Sequence, residues 1–176
     1  MTQKEPITQD DFYKFLTDHD VIISRLAEMI GMKKPEPLMS CFKHHNDWHG
    51  RPRKLNADHI AALNEAMPRL AEELLNCRLK FDPERAETNA WGSTYDKGLV
   101  EPIKRIGNYL NITKMLERVA GWSASKKCAV LSRHEGSMAG CISKADAVAI
   151  NQELITIAGV LEKYELVADD SSSSSC

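Results

Sequence analysis

Glycine and proline are scarce in this 176-residue chain, at nine and seven residues, and runs of β-branched residues are absent. Ala, Leu, Ile, Glu and Lys carry the pattern instead, which predicts an all-α protein. No apolar stretch is long enough to span a bilayer, and the opening Met1-Thr-Gln-Lys-Glu-Pro6 lacks the apolar core of a signal peptide. A soluble, cytoplasmic protein with no membrane partner is expected. The five cysteines, Cys41, Cys77, Cys128, Cys141 and Cys176, are odd in number and form no CxxC pair, so reduced thiols are expected. Cys41, Cys77 and Cys128 fall on apolar helix faces, where a thiol acts as a small hydrophobe. A Gly-rich phosphate loop, a GxSxG elbow and an HExxH pair are also missing. Neither enzymatic activity nor a cofactor is expected.

What the chain does contain is one pattern twice. Ile60, Leu63, Met67, Leu70, Leu74 and Cys77 repeat in steps of three and four, as one face of a helix does. The same steps recur 87 residues later at Ala147, Ile150, Leu154, Ile157, Leu161 and Tyr164. Identities share that offset: Cys41/Cys128, Ala62/Ala149, Asn64/Asn151, Ala71/Ala158, Leu74/Leu161 and Leu79/Leu166. Upstream the offset is 90, with Ile22/Ile112, Leu26/Leu116 and Gly31/Gly121, and one three-residue gap within Lys33–Pro37 reconciles the two. The expectation is two tandem related helical modules, a form that can present paired surfaces to a two-fold partner such as duplex DNA.

The predicted boundaries are 1–81 for the first module, 82–100 for a linker docked by Trp91 and Tyr95, 101–167 for the second module, and a disordered Ser-rich tail over 168–176. In the first module Thr8-Gln-Asp-Asp11 has the form of a capping box and opens a helix running to Ile30, with Gly31 as its stop. A short helix begins near Pro35 and Pro37, a basic loop covers 43–54, and Asn56 caps a long helix reaching about Phe81, kinked or broken at Pro68. In the second, a helix over 101–120 stops at Gly121, Ser123 caps a short helix, the loop 132–142 holds Gly136 and Gly140, and Ser143-Lys-Ala-Asp146 opens a long helix to about Leu166. The heptad-like spacing of both long helices fits a bundle core, and also allows a homodimer.

Charge is distributed unevenly. Residues 33–54 carry a balance of +4 and residues 123–146 a balance of +2, which leaves −8 for the remainder of a chain with net charge −2. Positive charge therefore sits at corresponding places in both halves, as a phosphate-facing surface requires. Arg51, Arg53 and Lys54 in the first half, and Lys126, Lys127, Arg133 and Lys144 in the second, are the candidate phosphate contacts.

The order helix, tight stop, short helix, basic loop, long helix resembles lambda-repressor-like helix-turn-helix domains. The likeness is best over 112–166: Met115–Trp122 as a first helix and its stop, Ser123–Ser132 as the second, and Ile157-Ala-Gly-Val-Leu161 as a terminal packing helix. The stretch around Gly121-Trp122-Ser123, Lys126-Lys127, Val130-Leu131-Ser132, Ile142-Ser143, Asp146 and Ile150-Asn151 is also similar to an uncharacterised module of Bacteroidales bacteria and their mobile elements. The resemblance implies a DNA-binding regulatory protein with double-stranded DNA as partner, associated with a phage or other mobile element. One departure is that Arg133–Cys141 does not read as the third short helix of such domains. The recognition element is then open, with the first turns of the long helices, Ser143–Asp146 and Asn56–His59, as alternatives. A helical protein-interaction or adaptor module without nucleic-acid binding is the alternative function.

Cys41, His45 and His49 are spaced by four, which would place them on one helical face with donor types that suit zinc. The second half has no matching histidines, so basic-loop histidines beside a buried thiol is the favoured reading and no metal is expected. Trp48 and Trp122 are both able to stack on bases. Trp122 directly follows a helix stop and is read as core.

Overall fold

The computed structural model describes residues 4–88, 92–131 and 142–168. Trp91, Arg133, the glycines at 136 and 140, Cys141 and the tail from 169 onward lie outside the described residues. The chain is largely helical, with short strands that periodicity did not announce. In order the elements are β1 (Glu5–Ile7), α1 (Gln9–Asp18), α2 (Ile23–Met29), α3 (Glu36–Phe42), α4 (Ala57–Asn76), β2 (Glu87–Thr88), β3 (Thr94–Tyr95), α5 (Val100–Ile106), α6 (Ile112–Ala120), α7 (Ala124–Leu131), α8 (Lys144–Lys163) and β4 (Tyr164–Leu166). A 3-10 turn at Lys97–Leu99 leads into α5. Among the described residues no helix is long and apolar enough to cross a membrane.

The chain divides into two compact units, Met1–Glu72 with Ala158–Cys176, and Glu73–Ile157. Both borders fall inside long helices. In the first unit, β1 and β4 pair in parallel, with Glu5 opposite Tyr164 and Ile7 opposite Leu166. Thr8 caps α1 by accepting from the Asp11 N–H at 3.1 Å, and its hydroxyl meets the Asp11 carboxylate at 2.9 Å. Phe12, Leu16, Leu26, Leu38, Phe42, Leu63, Met67 and Leu70 are at most 1 % exposed and form the core. Packing of α1 on α3 is aromatic: Tyr13 stacks on Phe42 at 5.4 Å between ring centroids, and Phe12 tilts against it at 6.1 Å.

In the second unit, Ile103, Ile106, Leu110, Met115, Leu116, Ile142, Ile150, Leu154 and Ile157 are fully buried. The capping box expected at Ser143 is present: the Asp146 N–H donates to Ser143 Oγ at 3.1 Å and the Ser143 N–H to Asp146 Oδ2 at 2.9 Å. Ser123 caps α7 through the Lys126 N–H, and Asn56 caps α4 through the His59 N–H.

Three expectations about elements need correction. The single first helix in each half is two helices, α1 and α2, then α5 and α6. Asp20 sits at φ 59 between α1 and α2, and the Gly107–Asn111 segment separates α5 from α6, with Asn111 capping α6. The long helix α4 continues through Pro68 and ends at Asn76, short of Phe81. Cys128 is exposed on α7, whereas Cys41 is buried.

Asparagine 64 and asparagine 151 do the same thing in their respective units. The Asn64 amide donates to the Leu166 carbonyl (3.0 Å) and accepts from the Leu166 N–H (2.8 Å). Asn151 grips the Leu79 backbone in the same two-point manner, at 2.8 and 2.7 Å. A primary amide can meet both groups of one residue at once, leaving no orphaned donor or acceptor there. The chain segment held in each unit follows the long helix of the other half of the sequence.

Candidate nucleic-acid interface

The basic loop of the first half is a fixed hairpin. Gln9, 4 % exposed, pins both of its ends: its Nε2 donates to the Cys41 carbonyl at 2.8 Å and its Oε1 accepts from the Leu55 N–H at 3.0 Å. The Cys41 thiol adds a bond to the Lys54 carbonyl at 3.4 Å, and His44 Nε2 meets Asp10 at 2.5 Å. Burial pushes the Cys41 thiol pKa up while the nearby Arg53 charge pulls it down. Within the loop Asn46 and Pro52 form an antiparallel bridge, and the Arg53 N–H donates to the His45 carbonyl at 3.0 Å. Asp47 organises the tip. Its Oδ1 accepts from the N–H groups of His49 (2.8 Å) and Arg51 (2.9 Å), and its Oδ2 takes the Arg51 guanidinium at 3.0–3.1 Å. The Arg51 N–H leads these bonds in holding the Asp47 carboxyl below its ordinary pKa. Gly50 at φ 76 closes the turn, a backbone state that a side chain would strain.

This frame leaves Lys43, Arg51, Arg53 and Lys54 exposed around Trp48, which is 87 % exposed at the tip with its ring against that of His49. An indole so open to water contributes nothing to a core.

The second half places its candidates differently. Lys126 pairs with Asp146 at 2.9 Å and lies 4.4 Å over the Trp122 ring; its side chain is 34 % exposed. Lys127 pairs with Glu117 at 2.5 Å and is 14 % exposed. Trp122, 2 % exposed, donates its indole N–H to Asp146 at 2.7 Å, in keeping with its reading as core. Burial pushes the Asp146 carboxyl up, but bonds from Trp122, Ser143 and Lys126 outweigh it and bring its pKa below the ordinary value. Lys144 is exposed at the start of α8. To reach a phosphate, Lys126 and Lys127 would have to leave carboxylates that already neutralise them. Sequence alone shows charge, not partners.

Cys41, His45 and His49 do not share a helical face, because α3 ends at Phe42 and His44 turns to φ 49. Among the described residues no group of three His, Cys, Asp or Glu is placed to hold a metal ion. The roles of Gln9 and Asp47 were missed from sequence. Asp47 had a signal, as Asp three residues before Gly50 in a turn; Gln9 had none.

No protein-family model, curated protein or solved structure matches the chain.

Proposed function

We propose that this protein binds double-stranded DNA, using the 43–54 hairpin as its main contact. The observation that carries this reading is an exposed tryptophan on a loop held at both ends by Gln9, with Lys43, Arg53 and Lys54 exposed on the same loop and Arg51 paired to Asp47. Phosphates supply affinity through Lys and Arg, and an aromatic side chain at the tip packs on sugar or base surface. Lys144, exposed at the start of α8, is a separate candidate phosphate contact of the second unit. A regulatory role, in a phage or other mobile element, rests on the resemblance to repressor-type domains.

Two tandem related modules also belong to the proposal. Support comes from equal helix order, from long helices of 20 residues each offset by 87, and from the paired clamps Asn64–Leu166 and Asn151–Leu79.

The test is charge reversal. Lys43→Glu with Arg53→Glu leaves the Asp47–Arg51 pair untouched and should weaken binding to every duplex sequence by about an order of magnitude. A second reading, a helical interaction module, is favoured by Val148 and Ile155, which are 60 % and 43 % exposed and seven residues apart on α8. Unchanged DNA affinity in the charge-reversed protein would move the assignment to that reading.

A further inference from the structure

The second unit contains a cavity of about 290 Å3 whose lining includes Arg78, Lys80, Arg85 and Arg105 and no carboxylate. These cations come from separate stretches: Arg78 and Lys80 follow α4, Arg85 precedes β2, and Arg105 lies in the last turn of α5. Like charges gathered around one concave space repel unless something offsets them. Arg85 is offset from outside the cavity, by a two-point pairing with Asp96 at 2.7 and 2.8 Å and by Asp82 at 3.7 Å. Arg78 is held in place by a bond from its Nε to the Leu75 carbonyl at 3.1 Å, which fixes the fork and leaves its charge. Lys80 and Arg105 are exposed side chains of the same rim. Leu99 and Pro102 supply an apolar wall, and Cys77, half-buried, lies beside Arg78. Arg105 and Glu73 both act electrostatically on the Cys77 thiol, and Glu73 is not part of the lining.

We propose that this cavity is a binding site for a small phosphorylated molecule, a role separate from the DNA contact of the 43–54 hairpin. Guanidinium forks match the tetrahedral oxygens of a phosphoryl group and bind it through paired N–H donors. The volume is near the lower end for small-molecule pockets, roughly 300 Å3 and above, and suits a compact ligand with a short apolar portion. A concave pocket of that size favours a free phosphate compound over the backbone of a duplex.

The experiment uses the full chain, with inorganic pyrophosphate as the probe and Cys77 as the reporter. Iodoacetamide labelling of each cysteine is followed by mass spectrometry. Pyrophosphate should slow Cys77 labelling several-fold and saturably, while labelling of exposed Cys128 stays unchanged. Sodium chloride at matched ionic strength should not reproduce the effect. Lys80→Gln with Arg105→Gln should abolish the protection, and Lys80→Gln alone should weaken it; both positions are exposed, and circular dichroism checks that the fold is kept. Absence of protection at millimolar pyrophosphate, equal protection by chloride, or protection that survives in the folded double variant would each overturn the proposal. Protection by a short DNA duplex but not by pyrophosphate would overturn it as well, and assign the cavity to the nucleic-acid surface instead.

Discussion

Asp96 is fully buried, and its carboxylate accepts from the Arg85 guanidinium and from the N–H groups of Asp82 (3.1 Å) and Gly98 (2.8 Å). The Arg85 bonds, aided by those backbone donors and opposed by burial, bring its pKa down to about 2. A carboxyl depressed on folding stabilises the native state above its unfolded pKa, and that contribution is lost as pH falls through the folded value. Asp96→Asn should therefore destabilise the protein at neutral pH, with the gap to wild type closing between about pH 4 and pH 2. Urea unfolding at a series of pH values checks this; a gap independent of pH would contradict it. Sequence placed Asp96 in a linker, because burial of one carboxylate leaves no periodic trace. Lys126 and Lys127 carry the converse lesson. Their charge was legible, but their pairing with Asp146 and Glu117 depends on which faces of α6, α7 and α8 meet. Removing the Asp146 carboxylate would leave the Trp122 indole N–H and the Ser143 N–H without their acceptor, while the bond from the residue-146 N–H to Ser143 Oγ would remain. Asp146→Ala should cost about 2–4 kcal/mol, read from chemical unfolding; a loss within error of zero would contradict the role given to that carboxylate.

At the scale of elements, periodicity located both long helices, whose buried positions Leu63, Met67, Leu70 and Leu74 and Ile150, Leu154, Ile157 and Leu161 are those of the repeated pattern. Their starts were legible from capping residues, Asn56 and the Ser143–Asp146 box, since caps act within one turn. The breaks after α1 and α5 were not, because Asp18-His-Asp20 and Gly107-Asn108 interrupt an apolar face without erasing it. Strands β1 and β4 were missed for another reason: three residues are too few to show alternation, and their pairing spans nearly the whole sequence. The matched identities Asn64/Asn151 and Leu79/Leu166 were visible as letters, and the structure gives them a use. Asn64→Ala and Asn151→Ala should each cost roughly 1–3 kcal/mol, because each leaves one backbone N–H and one carbonyl unmet. Hydrogen exchange should show the Leu166 amide opening in the first variant and the Leu79 amide in the second. Protection of both amides unchanged from wild type would contradict the clamp.

For the molecule as a whole, helix content followed from composition, whereas the unit borders inside α4 and α8 leave no mark in it. Net charge also hides local charge: a chain at −2 still carries Lys43, Arg51, Arg53 and Lys54, all exposed, on one hairpin with Trp48. The most direct measurement is fluorescence anisotropy of a labelled random-sequence duplex titrated with the full protein at two salt concentrations. Each phosphate neutralised releases condensed counterion, so affinity should fall steeply as salt rises. Lys43→Glu with Arg53→Glu should bind more weakly to all sequences and flatten the log–log salt slope by about 1.8, the value for two lost phosphate contacts on B-form DNA. Absence of binding by the folded protein at low salt, or a slope unchanged by the double reversal, would contradict the assignment of this hairpin as a DNA-binding surface.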